Sequence, residues 1–288
     1  MRIPSLKGRG LRPSTIAARL RRRLDVPDIS RPRLRRFLAE MGRSPVPAMP
    51  STPPSTIAVV VPCYRHATYA PRALESVLRQ TRRPDELILV EDHSPDGTLE
   101  LLRRFAADHP WPNGGPVVLA NASNLGQAAS LNRAIGEARS DLVMILNDDD
   151  CLMDDAVETA LSFFERRPDL ALLGGPNVIF TNDADLETAS KSALSYTPAG
   201  VTLRVHQPDE VAGYRRGPGF DMTHSATTFR RPAWQAVGGY EPDKRRRVVP
   251  HSDRDFQLRV NALWPVAILD CPLSFWRRGS SVDAGRNS

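Results

Sequence analysis

I-A-V-V-V-P-C (57–63), E-L-I-L-V-E-D (86–92) and D-L-V-M-I-L-N-D-D-D (141–150) are the stretches that decide the fold of this chain. Each is a continuous run of mainly β-branched and other apolar residues that ends in polar or acidic side chains. Such runs are typical of parallel strands, because helices cover both faces of a parallel sheet. The segments between the runs have a helical apolar periodicity, and this alternation predicts βαβ units.

The pattern therefore predicts an α/β fold, with a mostly parallel sheet flanked by helices. The predicted strands are 57–61, 87–90, 117–120, 142–146 and 223–229, with a further apolar run at 170–173. The predicted helices are 69–80, 98–107, 127–138, 154–166, 232–237 and 253–263. Residues 181–218 are predominantly polar and predict a long, partly irregular region. Ligands of such sheets bind beyond the carboxyl ends of the strands, so polar residues at those ends are the site candidates.

The 288 residues fall into three segments of different composition. Residues 1–43 are a basic arm: residues 1–45 hold 13 Arg plus Lys and 3 Asp plus Glu, a local net charge of +10, whereas the remainder has a net charge of −4. Apolar residues recur at helical spacing beside the arginines at 16–24 and 33–41. Residues 44–56 contain five prolines and predict an extended linker. Residues 57–288 are the predicted folded domain.

The basic arm has three interpretations. A solvated, disordered tail is the default for an arginine-rich terminus. Basic amphipathic helices would instead make a peripheral contact with an anionic membrane. The third interpretation is a site for a partner protein. Nucleic-acid binding is disfavoured, because the rest of the sequence offers no basic groove or recognition module.

The cysteines and the hydropathy of the chain bear on its location. Cys63, Cys151 and Cys271 are far apart and form no C-x-x-C pair, which argues against a disulfide framework or a structural zinc site. The sequence has neither a membrane-spanning apolar run nor the apolar core of a secretory signal. We therefore expect reduced thiols and a cytoplasmic location, with any membrane contact peripheral at the inner face.

Carboxylates follow two predicted strands and begin a late predicted helix: Glu91 with Asp92, Asp148 to Asp150, and Asp253 with Asp255. Three adjacent carboxylates repel one another unless a cation neutralises them. Oxygen-rich sites select hard divalent cations such as Mg²⁺ or Mn²⁺, which can bridge a nucleotide diphosphate. The alternative is a solvated acidic turn that caps the next helix. The position of the triplet directly after an apolar strand favours the cation.

Further candidates lie at neighbouring strand ends. Tyr64 can stack on a nucleobase and Arg65 can pair with a phosphate, although both also suit simple packing after Pro62. Asp92 can accept hydrogen bonds from a base or a ribose. Asn124 and Gly126 precede a helix that contains Asn132. A glycine-led helix start can face an anion, but a tight loop is the commoner reason for the glycine.

Three histidines lie in the later part of the sequence, at His206, His224 and His251. A lone histidine in this kind of sheet is more often a structural hydrogen-bonding residue than a metal ligand. We expect His251 to lie near the site because it comes two residues before Asp253.

Several motifs stand in one order along the chain. They are V-V-V-P-C-Y-R (59–65), S-V-L-R-Q-T (76–81), P-D-E-L-I-L-V-E-D-H-S-P-D-G-T (84–98), N-L-G-Q-A-A-S-L-N-R-A-I (124–135), D-L-V-M-I-L-N-D-D-D (141–150), V-G-G-Y-E (237–241), D-R-D-F-Q-L-R (253–259) and S-F-W-R-R (274–278). This ordered set resembles the family 2 glycosyltransferases, which share the GT-A fold. The resemblance covers nearly everything after residue 56. It implies a Rossmann-like nucleotide-binding half and an acceptor-side half.

The resemblance also implies roles for these residues. Asp149 matches the metal-binding carboxylate of the family's D-x-D element, with Asp148 and Asp150 beside it and Mn²⁺ or Mg²⁺ as the cofactor. Asp253 matches the general base, which deprotonates a hydroxyl acceptor as it attacks the anomeric carbon and inverts its configuration. Asp92 and Tyr64 would bind the nucleoside of a nucleoside diphosphate sugar. Arg259 and Arg277 match arginines near the family's site.

Two positions depart from the family pattern. Asn147 stands where the family usually has Asp, and Ser252 replaces an acid next to the base. A non-catalytic nucleotide-sugar or glycan-binding protein with a degenerate site is therefore the alternative. Asp92, Asp149 and Asp253 are all present, which favours the enzyme. Nucleotidyl and hydride transfer are disfavoured because no Gly-rich phosphate loop follows the first strand.

Overall fold

A computed structural model of the protein describes Phe37, Ala39 and residues 48–50, 52–111, 115–186, 201–208 and 222–280. The predicted helix at 16–24 and most of the irregular region at 181–218 lie outside these residues. Phe37 and Ala39 have helical backbone, as the 33–41 pattern predicts. Phe37 is buried and belongs to the hydrophobic core, so the end of the basic arm is attached to the folded domain.

The described part of the chain contains these helices and strands, numbered in chain order. The strands are β1 (Ile57–Cys63), β2 (Glu86–Glu91), β3 (Val117–Ala120), β4 (Leu142–Ile145), β5 (Cys151–Leu152), β6 (Leu172–Gly174), β7 (Asn177–Phe180), β8 (Leu203–His206), β9 (Thr228–Arg230), β10 (Val266–Leu269) and β11 (Ser274–Arg277). The helices are α1 (Ala70–Leu78), α2 (Thr98–Asp108), α3 (Gln127–Glu137), α4 (Ala156–Arg166), α5 (Arg231–Ala236) and α6 (Ser252–Asn261).

The first four strands of the main sheet have the predicted parallel topology. The main sheet has the order β3-β2-β1-β4-β9-β6-β10-β8, and its first four strands are mutually parallel. Val60 in β1 lies between Ile88 in β2 and Ile145 in β4. The carboxyl ends of β1, β2 and β4 therefore meet at one edge, which brings their polar residues together.

The second half of the sheet is mixed, which differs from a simple parallel continuation. Strand β9 is antiparallel to both β4 and β6, and β8 is antiparallel to β10. The predicted strand at 223–229 is correspondingly shorter, because residues 223–227 form a turn. In that turn Thr227 donates its backbone N–H to His224, and Ala226 has a φ of 65°. A small second sheet, β5-β11-β7, was not predicted, since its strands have only two to four residues.

The core has a layer on each face of the main sheet. Alternate residues of β1 point to opposite faces, so Ala58 and Val60 contact one layer while Ile57, Val59 and Val61 contact the other. The first layer includes the buried residues of α3 and α6, and the second includes those of α1 and α4. None of the helices in the described residues is long and apolar enough to cross a bilayer.

Candidate functional site

The acidic segment Asn147–Asp150 follows β4 and lies against the end of β1. The backbone N–H of Tyr64 donates to Asp148 Oδ2 at 3.0 Å. This bond joins two loops that are 84 residues apart in the sequence. The predicted meeting of strand ends at one edge is therefore present in the structure.

Asp148 forms a buried ion pair with His66, two residues after Tyr64. His66 Nδ1 lies 2.8 Å from Asp148 Oδ1, and both side chains are almost fully buried. Burial lowers the pKa of His66, but the hydrogen bond and the charge of Asp148 outweigh it and raise this pKa to about 9. Burial also raises the pKa of Asp148, and the bond to His66 offsets part of that rise. The charged pair neutralises one of the three adjacent carboxylates within the protein.

His66, Asp148 and Asp149 form a donor set with the dimensions of a cation site. One ligand atom from each of the three lies within 4.8 Å of the others. Carboxylate oxygens suit Mg²⁺ and Mn²⁺, and an imidazole nitrogen is a ligand for many divalent metals. Asp149 is partly exposed, and Ser280 donates its hydroxyl to Asp149 Oδ2 at 2.5 Å. The carboxylates of Asp148 and Asp149 fit a divalent cation, and His66 would join them as a ligand after losing the proton that it shares with Asp148.

Asp150, a predicted metal ligand, makes hydrogen bonds inside the protein. It accepts from the Ser225 hydroxyl at 2.6 Å, the Arg277 backbone N–H at 2.9 Å and the Asn147 amide at 3.3 Å. Burial and the neighbouring charge of Asp149 raise the pKa of Asp150 to about 7. Asp150 thus ties the acidic segment to β11 and to the turn before β9, and it is not in the three-residue donor set.

Asn147, where the family pattern has Asp, connects several parts of the site. Its Oδ1 lies 3.1 Å from both Gln127 Nε2 and His224 Nδ1, and its backbone N–H donates to Ser225. Because its amide also donates to Asp150, the O and N positions are both defined by partners. An aspartate at this position would have no N–H group to donate to Asp150.

Asp253 lies in the first turn of α6 and is partly exposed. Phe256 of the same helix stacks on Tyr240, and the charge of Asp253 offsets part of the fall that burial causes in the pKa of His224. His224 Nε2 lies 3.2 Å from the Tyr240 hydroxyl. The prediction that His224 is a hydrogen-bonding residue is confirmed, and His251 is the residue that precedes α6.

Asp92 organises the loop before α3. Its Oδ1 accepts from the Leu125 backbone N–H and the Asn121 amide, and its Oδ2 accepts from the Gly126 backbone N–H, all at 2.7–2.8 Å. Asn124 donates to the Asp92 carbonyl at 3.2 Å. Gly126 has a φ of 82°, which glycine adopts readily. The structure therefore brings Asp92, Asn124 and Gly126 together beside the end of β2, while nucleoside binding by Asp92 stays a prediction.

Arg259 and Asn132, which are predicted to bind the nucleotide sugar, use their polar atoms for hydrogen bonds within the protein. Arg259 Nε pairs with Asp255 at 2.8 Å, and its other two nitrogens donate to the Val237 and Gly239 carbonyls at 2.7 Å. Asn132 bonds both the N–H and the carbonyl of Tyr240. These hydrogen bonds hold residues 237–240 in place. Sugar binding by Arg259 and Asn132 stays a prediction.

Arg277 is buried inside the protein. Its guanidinium carbon is 4.6 Å from the centroid of the Tyr69 ring and 4.5 Å from that of Phe180, and it pairs with Asp183 at 3.0 Å. Its Nε also donates to the carbonyl of Asp149 at 3.3 Å. Arg277 thus holds the backbone of the acidic segment in place.

Pro62, Tyr64 and Arg65 lie where the sequence places them, at the end of β1. Pro62 is buried in the sheet, Tyr64 is partly exposed and Arg65 is exposed. Arg65 has a φ of 59°, and its backbone N–H donates to Ser94 at 3.0 Å. The turn lies beside the acidic segment through the backbone N–H of Tyr64, and base and phosphate contacts by the two side chains stay predictions.

Sequence reasoning did not find His66, Ser280 or Tyr240. The signal for His66 was its place three residues beyond a strand end that already held a candidate site. Ser280 carried none, because its contacts with His66 and Asp149 depend on the chain's return after β11.

Comparisons with known proteins bear on the family and the fold. The family model described as "Glycosyl transferase family 2" matches residues 58–237. EpsE of Bacillus subtilis (strain 168) is 25% identical over 203 residues, which cover 70% of this chain and 66% of that protein. Chondroitin synthase of Escherichia coli is 34% identical over 209 residues, which cover 73% of this chain and 27% of that protein. The chain thus spans less than two thirds of the length of either relative.

Solved structures share the fold. S. aureus TarS 1-349 in complex with UDP-GlcNAc aligns with a TM-score of 0.56 at 16% identity, covering 81% of this chain and 62% of that one. Mannosyltransferase PcManGT from Pyrobaculum calidifontis, in complex with GDP-Man and Mn²⁺, aligns with a TM-score of 0.53 at 17% identity, covering 96% and 72%. The fold is α/β of the GT-A type, and the match over 58–237 shows that this chain belongs to glycosyl transferase family 2.

Proposed function

We propose that this protein is an inverting glycosyltransferase that moves a sugar from a nucleoside diphosphate sugar to a hydroxyl acceptor. The observation that carries the proposal is the chain of contacts that connects the acidic segment, which holds Asp148 and Asp149, with α6, the helix that carries Asp253. A residue near each of the two, Asn147 and Tyr240 respectively, contacts His224. Family membership supports sugar transfer as the reaction.

The donor side of the site would bind the nucleoside diphosphate. Asp149, with Asp148 and His66 beside it, would hold Mn²⁺ or Mg²⁺. When bound, such an ion supplies positive charge that stabilises the departing diphosphate. Tyr64 would stack on the base and Arg65 would contact a phosphate, since both side chains are accessible and the Tyr64 backbone bonds Asp148. Asp92 would act through the loop amides that it orders.

The acceptor side would centre on Asp253. Its carboxylate would take the proton of the acceptor hydroxyl as that oxygen forms a bond to the anomeric carbon. The bond from the anomeric carbon to the diphosphate oxygen breaks in the same step, and its electrons leave with the nucleoside diphosphate. One displacement from the opposite face inverts the anomeric configuration. The partial exposure of Asp253 at the start of α6 supports this role, because the acceptor needs access to the base.

The names of the relatives support glycan or polysaccharide synthesis as the setting. Chondroitin synthase and the poly-beta-1,6-N-acetyl-D-glucosamine synthase of Staphylococcus epidermidis are among the matches. The structural neighbours hold a uridine donor in one case and a guanosine donor in the other. Both nucleobases are therefore candidates. The alternative is a protein that binds a nucleotide sugar without transferring it, which Asn147 and Ser252 motivate.

Titration calorimetry of the full chain with UDP, GDP and dTDP, each with and without Mn²⁺, tests the donor half of the proposal. We expect one nucleotide to bind more tightly when Mn²⁺ is present. Product analysis with the matching nucleotide sugars, in the presence and absence of acceptor sugars, then tests the transfer. Metal-dependent binding without any transfer or donor hydrolysis would favour the non-catalytic binder. No binding of any nucleotide by folded protein would refute both functions.

We also propose that the basic arm contacts an anionic membrane from the cytoplasmic side. The arginines beside apolar stripes at 16–24 and 33–41 motivate this proposal, and the buried thiols of Cys63 and Cys151 fit a reducing compartment. Since Phe37 is buried in the core, the test should keep the whole chain. Replacing the arginines at 19, 21, 22 and 23 by glutamine should abolish sedimentation with phosphatidylglycerol vesicles. Equal sedimentation of both proteins would contradict the proposal.

A further inference from the structure

His224 joins the two sides of the site. It lies in the turn that precedes β9, and its side chain is buried. Its Nδ1 is 3.1 Å from Asn147 Oδ1 and its Nε2 is 3.2 Å from the Tyr240 hydroxyl. The Tyr240 ring meets the imidazole edge to face, with centroids 5.7 Å apart. Both ring nitrogens are thus used, each toward a different segment.

The two partners belong to the two halves of the reaction. Asn147 begins the acidic segment and also contacts Gln127 at the start of α3. Tyr240 stacks on Phe256 of α6, with ring centroids 4.4 Å apart. Phe256 lies three residues after Asp253, one helical turn away. A continuous line of contacts therefore runs from the acidic segment through His224 and Tyr240 to the helix that carries Asp253.

The hydrogen-bond chemistry of this line has one consistent arrangement. The Asn147 oxygen only accepts, so His224 Nδ1 carries a proton and donates to it. Tyr240 then donates its hydroxyl to His224 Nε2. This arrangement needs a neutral imidazole and a neutral phenol. Burial lowers the pKa of His224 and raises that of Tyr240, so both groups are held in the neutral forms. Asn147 suits this line because its amide is neutral, whereas an aspartate would attract a second proton to the ring.

We propose that His224 is a positioning residue, which sets the place of Asp253 relative to the donor bound at the acidic segment. The inference rests on the proposed function, since it concerns the geometry of that reaction. His224 does not touch the reacting atoms and moves no proton in the step. Its effect is on kcat, because misplacing a catalytic group by about 1 Å can cost about 100-fold in rate. Donor binding depends on the acidic segment and should change little.

The test compares His224→Phe, Tyr240→Phe and the double variant in the full chain. His224→Phe removes both hydrogen bonds of the line and Tyr240→Phe removes one of them, while each variant keeps an aromatic ring at its position. We expect each to lower kcat about 10- to 100-fold, with KM for the donor and the calorimetric affinity for nucleotide with Mn²⁺ within about threefold of wild type. The double variant should fall no further than the worse single variant, because either change interrupts the same line.

His109→Phe is the matched control. His109 stacks on Phe105 at the end of α2 and lies outside the site, so its variant should retain the wild-type kcat. A folded His224→Phe protein with kcat within twofold of wild type would overturn the inference, as would losses that multiply in the double variant. If wild-type protein binds donor but neither transfers nor hydrolyses it, the proposed function itself fails and this role fails with it. Loss of nucleotide affinity in parallel with kcat would show a purely structural role.

Discussion

The buried pair of His66 and Asp148 predicts a stability that depends on pH in the absence of metal. The interactions with Asp148 raise the pKa of His66 from 6.5 to about 9. An unfolded chain has the ordinary value, so the folded state holds this proton more tightly. The contribution to stability is fully present below pH 6.5 and is lost as the pH rises through 9. At about 1.4 kcal/mol for each pKa unit, the shift corresponds to roughly 3 kcal/mol.

That figure is an upper bound, because Asp148 is itself buried and part of the charge attraction offsets its desolvation. The perturbation that isolates the pair is His66→Gln, which keeps a donor but does not titrate. Urea unfolding of wild type and variant, in EDTA, should give a difference in the free energy of unfolding that falls by about 2 kcal/mol between pH 7 and pH 9. Titrating groups away from the pair cancel in the difference. A constant difference across this range would refute the ion pair.

Three further changes test the assignments around the site. Asp253→Asn should lower kcat by at least about 100-fold while nucleotide affinity stays within about threefold, since only the base is lost; product formation and calorimetry measure the two effects, and wild-type turnover would exclude Asp253 as the base. Asp149→Ala should remove the Mn²⁺-dependent part of nucleotide binding and leave the metal-free affinity unchanged, with Asp154→Ala, an exposed acid after the segment, as the control; equal Mn²⁺ dependence would exclude Asp149 as a ligand. Arg259→Lys should lower the free energy of unfolding, measured in urea, by about 2 to 4 kcal/mol, because lysine cannot make the bonds to Asp255, Val237 and Gly239 together. A loss of nucleotide affinity without a loss of stability would instead support sugar binding by Arg259.

Much of the parallel half of the main sheet was predictable from consecutive residues. Strands β1, β2, β3 and β4 and helices α1 to α4 lie within a few residues of their predicted bounds, because each has a strong apolar period of its own. The short strands of the second sheet were not predictable. Two to four residues carry no clear period, and β11 depends on pairing with β5 and β7 from distant parts of the chain.

Among the site residues too, local features were predictable and long-range contacts were not. Asp92, Asp148, Asp149 and Asp253 were identifiable because they follow strands or begin a helix, which are positions that the sequence specifies locally. The sequence did not indicate whether a polar side chain faces a ligand or bonds within the protein. Arg259, Asn132 and Asp150 match motif positions, yet their polar atoms are taken up by carbonyls, amides and hydroxyls elsewhere in the fold.

By itself, the sequence determined the α/β alternation, the family and the acidic character of the strand ends. These properties depend on the order and spacing of neighbouring residues. Only the tertiary structure decided that His66 pairs with Asp148, 82 residues away, and that His224 joins Asn147, 77 residues before it, to Tyr240. Such partners are selected by strand order and helix packing, and a buried polar atom must find whichever partner that packing brings within reach.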